Sequence, residues 1–552
     1  MRVLLLCSAF NSLTQAVYTA LLERGETVAV AFAIDEEQMK EEIEAFDPDL
    51  VLCPFLKRYL PPSIYERRPT FVFHPGPRGD RGALALEYAL IHRKKRWGSV
   101  WLKANELYDG GDIYAETTFS VRSATKASLY RREVVRSAVS MLDSLFAAIE
   151  NDDSIPQVLN PLHGPVPPEE RTIDWQNDTT ERIVAKIRRF DSDPGVLDEI
   201  LGVPCRLFGA HREERLRGRP KEVLAKRDGA ICLGTIDGAL WISHLKEPGR
   251  FKLPSTYVLK SRLKGVKEVR IPLLFDRSYD TFYEIYADFD GRIAYLHFDF
   301  HNGAMSSEQA VRLKYAVEYL KEECDLLVLM GGGEFFGNGI HLNILEESKK
   351  QGEDGWSNIN AMNDLIRSIL FCDDILTVAS FGRNAGAGGL FLGLACDFVV
   401  AKEGVVLNPH YKTLGLSGSE YHTYTFPRRV GEERAKRMLD EALPVGAAYA
   451  KKIGMIDELF ADEGYEETLR AFCRSILEEE DGYYETLEKK RDRLEADEEL
   501  IERCKEAELE RMHPQFWDPK SSFHELRRAF VYKLCPTATP ERLKHPKRIT
   551  DA

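Results

Sequence analysis

Apolar runs of four to six residues recur from the first residues of the chain, separated by segments whose apolar positions fall three and four apart. Val3 to Leu6, Thr27 to Phe32 and Leu50 to Cys53 read as buried strands, and Thr14 to Leu22 and Glu37 to Phe46 between them read as amphipathic helices. The alternation predicts a parallel, doubly wound α/β sheet, in which ligands sit at the carboxyl ends of the strands. Three loops fall at those ends: Ser8 to Ser12, Pro54 to Leu60 and Phe73 to Gly82. Prolines at 156, 161, 165, 167 and 168 then mark a linker. Short strands with tight turns follow it, at Ala230 to Leu233 and Leu240 to Leu245, and predict a small β-barrel. Beyond about residue 275 a hairpin pattern (Tyr286 to Phe289, Ile293 to Phe298) precedes a helix from Ser307 to Glu322 and an apolar strand from Leu326 to Met330. The resulting domains are 1–155, 156–272, 273–460 and a helical region 461–552 covering the third.

Two glycine-rich turns interrupt the second half. One is Gly331-Gly-Gly-Glu-Phe-Phe-Gly-Asn-Gly-Ile-His-Leu-Asn343; the other runs from Ser380 to Asp397 and contains Ala385-Gly-Ala-Gly-Gly389. Glycines 386, 388 and 389 are expected to adopt turns forbidden to other residues and to bare amides at a helix start, where anions and developing oxyanions are held. The alternative is a tight turn that serves packing alone.

With 552 residues the chain exceeds one hydrophobic core, consistent with several domains. A formal net charge of −14 argues against a general nucleic-acid or lipid-surface binder. The apolar start is broken by Asn11, Ser12, Thr14 and Gln15 and reads as a first strand rather than a signal peptide. No apolar run reaches the roughly 20 residues that span a membrane. The ten cysteines are scattered without a Cys-x-x-Cys pair, which points to a reducing, cytoplasmic setting and to no metal site. The tail from Glu478 to Arg511, dense in Glu, Lys and Arg, reads as a solvated helical face, and Phe523 to Lys533 as an amphipathic helix.

Candidate chemistry lies in Phe71-Val-Phe-His-Pro-Gly-Pro-Arg-Gly-Asp-Arg-Gly82 and, about one αβ unit downstream, Tyr108-Asp-Gly-Gly-Asp-Ile113. A His and an Asp brought to one sheet edge can move protons and steady an oxyanion. These motifs resemble the N10-formyltetrahydrofolate-dependent formyltransferases, and the resemblance assigns catalysis to His74 and Asp109. The family's Asn falls at Val72. Pro54, Phe55, Leu56 and Lys57 resemble the loop whose backbone grips the pterin, with Asp109 also on the folate. Arg171-Thr-Ile-Asp-Trp175 and Asp193-Pro-Gly195 resemble the C-terminal domain of methionyl-tRNA formyltransferase. Given the acidity, the expected barrel is read as a spacer or wall rather than a tRNA holder.

Residues 280 to 460 resemble the crotonase (enoyl-CoA hydratase/isomerase) superfamily, carried by the glycine spacing before Cys396-Asp397 and by Gly454-Met-Ile-Asp457. The resemblance implies a ββα spiral domain with C-terminal helices, and oxyanion-hole amides at Ile340 and Gly388. It implies CoA contacts at Gly339, Ile340, His341, Gly388 and Gly389, and at Arg527, Arg528 and Lys533 for its phosphates. The two hydratase Glu positions fall at Phe391 and His410, and a phenyl ring cannot exchange a proton, so enoyl-CoA hydration is not expected. His410, Tyr411 and Glu420 remain as acid/base candidates, with Tyr411 and Glu420 preferred. The bland reading is a core aromatic and a helix-start carboxylate.

The two halves together, with His74 to Gly82, Asn338 to Asn343 and Asn408 to Lys412, resemble the HypX (HoxX) hydrogenase maturation family. That resemblance implies N10-formyltetrahydrofolate and CoA as ligands, and other hydrogenase maturation proteins as partners. It also implies production of carbon monoxide for a [NiFe] centre. Rival expectations are formyl transfer to a sugar nucleotide or tRNA with a structural crotonase half, and a non-catalytic folate- and CoA-binding scaffold.

Overall fold

The computed structural model describes residues 1–192 and 194–549. Asp193, part of the Asp-Pro-Gly landmark, lies outside them. The chain forms two compact units, one of residues 1–270, 277–282 and 535–552, the other of residues 271–276 and 283–534.

The first unit begins with β1 (Arg2–Cys7), β2 (Thr27–Phe32), β3 (Leu50–Cys53), β4 (Thr70–His74), β5 (Arg96–Lys103) and β6 (Ile113–Ser120), hydrogen-bonded in the order β2-β1-β3-β4-β5-β6. The first four are parallel, as the unbroken apolar runs predict, and Leu4, Leu6, Ala29, Val51 and Cys53 are buried among one another. β5 and β6 are antiparallel to their neighbours. The αβ unit expected between His74 and Asp109 therefore ends in a hairpin, whose loop carries Asp109. Helix Ser12–Glu23 starts where Asn11 accepts the Thr14 N–H, and helix Glu36–Phe46 where Asp35 accepts that of Gln38.

The small sheet comprises β7 (Val196–Ile200), β8 (Val203–Glu213), β9 (Val223–Arg227), β10 (Ala230–Gly234) and β11 (Ala239–Lys246), in the order β7-β8-β11-β10-β9, with β12 (Leu253–Pro254) beside β11. Every pairing in it is antiparallel. Residues 535–549 belong to the first unit, and not to a helical cover of the second half as the 461–552 division supposed. Thr539 accepts the Phe32 N–H, and Lys547 pairs with Val28 on the free edge of β2.

The second unit is built on β13 (Ile285–Asp290), β14 (Ile293–Phe298), β15 (Leu326–Gly331), β16 (Leu376–Phe381), the short β17 (Ala385–Gly386), β18 (Phe398–Lys402), β19 (Val406–Asn408), β20 (Val445–Gly446) and β21 (Glu458–Phe460). The main sheet runs β13-β14-β15-β16-β18-β21, parallel after its first hairpin, and a smaller one runs β17-β19-β20.

The long helix Glu480–Trp517 is not simply a solvated face. Lys490 is buried and reaches Asp397 Oδ2 at 2.7 Å, an oxygen that also accepts the Thr377 N–H and Oγ1–H. Glu508, fully buried, accepts from the Tyr421 and Thr423 amides at 3.0 and 2.7 Å and from Thr423 Oγ1. Charges with complete partner sets can be buried, and periodicity reads only their polarity.

Candidate functional site

In the first unit, the turns after β1, β3 and β4 meet at the carboxyl edge of the sheet. Ser8 organises the Cys53-Pro-Phe turn: its N–H donates to the Phe55 carbonyl at 2.7 Å, and its Oγ accepts the Lys57 N–H at 2.8 Å. The Leu56 N–H and carbonyl and the Pro54 carbonyl have no partner among the described residues. This strip leaves one backbone donor and two acceptors open to a ligand. Phe55 lies edge-on to Tyr130, which opens a single π-turn, Tyr130–Val134.

His74 closes β4 and is buried between two carboxylates. Its Nε2 lies 2.7 Å from Asp80 Oδ1, and its Nδ1 lies 3.4 Å from Asp109 Oδ2. Asp109 sits in the left-handed region, at φ 47°, which Asp tolerates, and its Oδ2 accepts the Gly82 N–H at 2.8 Å. Val72, at the formyltransferase Asn position, packs instead against Val100, Leu102 and Ile113.

The proline-rich segment read as a linker has no regular element from 156 to 167, yet it straps this site. Gln157 accepts the Gly79 N–H and donates to the Asp109 carbonyl, and Asn160 donates to the Gly79 carbonyl. His163 Nε2 reaches Asp80 Oδ2 at 2.6 Å. Sequence reasoning missed Asp80, Gln157 and His163. Asp80 stood unremarked inside the quoted motif, and the other two carried no signal beyond being polar among prolines.

In the second unit the two glycine turns are in contact. Gly337 pairs with Ala385, and Met305 with Ile340. The Ile340 and Gly388 N–H groups have no acceptor among the described residues. A methyl on Gly389 would lie 2.1 Å from the Gly337 carbonyl carbon, and one on Gly339 3.2 Å from Gly388 N. The left-handed residue in the second turn is Ala387, at φ 46°, whereas glycines 386, 388 and 389 have ordinary φ values. They are needed for close approach and not, as expected from sequence, for forbidden turns.

Beside these amides stands a buried pair. Tyr411 Oη donates to Glu420 Oε2 at 2.5 Å, and a methyl on Gly388 would fall 2.7 Å from Glu420 Oε1. Burial raises the Glu420 pKa, against the lowering effect of hydrogen bonds from Tyr411 and Ser419. Burial and the neighbouring Glu420 charge push Tyr411 well above its ordinary value. Glu420 and Tyr421 both adopt positive φ, 66° and 55°, held by Asn363 Oδ1 on the Glu420 amide at 2.8 Å and by Glu508 on that of Tyr421. Strain of this kind persists only where the surroundings over-determine it.

Phe391, fully buried, stacks on Tyr411 with ring centres 5.4 Å apart. His410 Nε2 lies 2.5 Å from where a methyl on Gly386 would be. His341 is buried; its Nδ1 accepts the Ile344 N–H, and burial pushes its pKa down to about 4, so the ring is neutral. Arg528 is exposed, 3.7 Å from Glu346, and Lys533 ends its helix at φ 53°. Arg527 is not available to a phosphate: it is buried and bonded to Glu346 and Gln351.

Residues 290–536 match the family model for enoyl-CoA hydratase/isomerase, and residues 165–263 match that for the formyl transferase C-terminal domain. The hydrogenase maturation factor HoxX of Bradyrhizobium diazoefficiens is 36% identical across 98% of this chain and 96% of its own. The chain belongs to the HypX (HoxX) hydrogenase maturation factor family. A crystal structure of HypX from Aquifex aeolicus in complex with tetrahydrofolic acid matches with a TM-score of 0.95 at 41% identity, over 98% of each chain. The methionyl-tRNA formyltransferase of Pseudothermotoga lettingae is 29% identical over 34% of this chain and 63% of its own. In this HypX-family chain, formyltransferase and crotonase-type domains are thus joined in one polypeptide. Among the described residues no helix is long and apolar enough to cross a membrane.

Proposed function

We propose that the protein makes carbon monoxide for the [NiFe]-hydrogenase site in two steps. The first unit transfers the formyl group of N10-formyltetrahydrofolate to the thiol of CoA, and the second removes carbon monoxide from formyl-CoA. The relative's complex with tetrahydrofolic acid supports the first substrate. The strip of unpaired backbone at Pro54 and Leu56 is suited to hold the pterin. His74 and Asp109 flank the formyl carbon, take the thiol proton and return a proton to the departing folate nitrogen, so that a C–S bond replaces a C–N bond. A thiol is a capable nucleophile once ionised, which accounts for the tolerance of Val72 where the family has Asn.

In the second step the Ile340 and Gly388 amides hold the thioester carbonyl oxygen. Gly339, His341 and Gly389 shape that turn, and Arg528 and Lys533 meet the phosphates. Ionised Glu420, steadied by Tyr411, takes the formyl proton. The C–H electron pair stays on carbon as the lone pair of carbon monoxide, the C–S pair leaves with sulfur, and the proton passes to the thiolate. Hydrolysis to formate competes, so a dry site is required. The observation that carries this reading is the Tyr411–Glu420 pair, buried against Gly388 and walled by Phe391 in place of a hydratase carboxylate.

The test is to incubate the purified protein with N10-formyltetrahydrofolate and CoA and to follow carbon monoxide with a haem-protein trap. Carbon monoxide above a His74→Ala control is expected. Formate alone would show hydrolysis, and turnover of neither product would leave a binding scaffold.

A further inference from the structure

The two oxygens of the Asp80 carboxylate face two different imidazoles. Oδ1 lies 2.7 Å from His74 Nε2, and Oδ2 lies 2.6 Å from His163 Nε2. An ionised carboxylate can only accept, so both Nε2 atoms carry hydrogen, and the lone pair of neutral His74 is left on Nδ1. That nitrogen faces Asp109 Oδ2 at 3.4 Å, beyond the usual N–H···O range of about 2.7–3.2 Å, which leaves the Nδ1 side as the reacting side. The Asp80 side is closed. A methyl on Gly76 would fall 2.2 Å from Asp80 Oδ1 and 2.4 Å from His74 Nε2, so this glycine is required for the carboxylate to reach the ring. His163 is itself fixed by stacking on Tyr88, with ring centres 3.9 Å apart and planes 18° apart. The segment that carries it is tied to the same loop through Gln157 and Asn160.

We propose that His163 is a positioning residue for formyl transfer: by holding Asp80 it fixes the His74 tautomer with Nδ1 free to accept the thiol proton. Held only by His74, the Asp80 carboxylate can swing away from Nε2 and leave either ring nitrogen to carry the hydrogen; gripped by His163 at its second oxygen, it cannot. The wrong tautomer of a catalytic histidine costs orders of magnitude in rate even where the geometry is kept. This inference rests on the formyl-transfer reading of the first unit, and its test is built to separate the two.

His163→Phe keeps the stack on Tyr88 and removes the hydrogen bond, while His163→Gln keeps a donor. In protein labelled with 15N-histidine, the wild-type His74 ring, assigned by its absence in His74→Ala, is expected to show hydrogen on Nε2. In His163→Phe a mixture of tautomers is expected. Formyl-donor consumption in His163→Phe should fall at least tenfold in kcat with KM changed less than about twofold, and His163→Gln should recover most of the loss. A wild-type His74 tautomer and kcat in His163→Phe would overturn the proposal. So would an equal loss in both variants, or a loss confined to KM, since either marks His163 as packing only. If wild-type protein consumes no formyl donor, the formyl-transfer reading fails, and the tautomer measurement still decides whether His163 orders His74.

Discussion

Tyr411→Phe removes one oxygen from the second site and little else. The phenol is buried, its hydroxyl is 2.5 Å from Glu420 Oε2, and its ring is stacked on Phe391, a contact that phenylalanine keeps. A hydrogen bond to a charged acceptor stabilises by about 1.5–3 kcal/mol. In the folded protein its loss makes the Glu420 carboxylate harder to ionise, on top of the burial that already raises its pKa. A positioned acid/base group contributes roughly 10²- to 10⁴-fold, or about 2.7–5.4 kcal/mol at 1.36 kcal/mol per decade. Tyr411 steadies that group rather than being it, so the variant loses only the hydrogen bond's about 1.5–3 kcal/mol, and carbon monoxide release is expected to slow roughly 10- to 150-fold. Formation of tetrahydrofolate, the step proposed for His74 in the first unit, should persist, with formate accumulating as the thioester hydrolyses. Carbon monoxide trapped by a haem protein and folate followed by absorbance, in one incubation, give both rates. Carbon monoxide at the wild-type rate would refute the role of the Tyr411–Glu420 pair. Parallel loss of both rates would show that the variant disturbs more than the second site.

Other substitutions follow from the same contacts. Gly389→Ala drives a methyl into the backbone of Gly337, and overpacking of about 1–3 kcal/mol with separation of the two turns should abolish carbon monoxide release; an active variant would contradict the paired amides. Glu508→Ala leaves the buried Tyr421 amide and the half-buried Thr423 amide without acceptors, at up to about 1–3 kcal/mol each, and a lower denaturant midpoint is expected; an unchanged midpoint would show that the helix is dispensable there. In the proposed mechanism Glu420 is ionised when it takes the formyl proton, and its pKa is raised, so carbon monoxide release should fall on acidification through a value above the ordinary carboxylate of about 4.3, and a limb at or below that value would oppose the assignment. The same shift fixes a stability sign. A carboxyl whose folded pKa exceeds its unfolded one contributes stability that is fully present below the unfolded value and lost as pH rises through the folded value, so Glu420→Gln should gain on wild type in chemical denaturation between mildly acid and neutral pH.

The strands were legible because burial on both faces leaves a signature that any neighbour reinforces: Val3 to Leu6, Leu50 to Cys53 and Leu326 to Met330 need only be apolar to be found. Strand direction was not written that way. Nothing in Arg96 to Lys103 distinguishes an antiparallel β5 from a parallel one, since direction is set by the connections. Lys547 closing on Val28 depends on a free edge more than 500 residues earlier, which no local pattern can announce.

At the sites, visibility followed chemistry that a motif preserves in order. His74, Asp109, Tyr411 and Glu420 stood out as reactive types beside glycine turns, and the structure brings them together in the expected pairs. The residues that hold them did not stand out. Glu508 among the many carboxylates of its helix, and His163 among five prolines, are polar residues in places where polarity is expected, and only tertiary contact converts them into an anchor and a strap. Glycine misled in the opposite sense, because Gly388 and Gly389 are defined by what lies against them rather than by their own dihedrals. Ala387, which bears the strained turn, looks like the least remarkable letter of the motif. A position under positional constraint from a distant backbone and one under local torsional constraint select different residues, and a sequence motif records the two in the same alphabet.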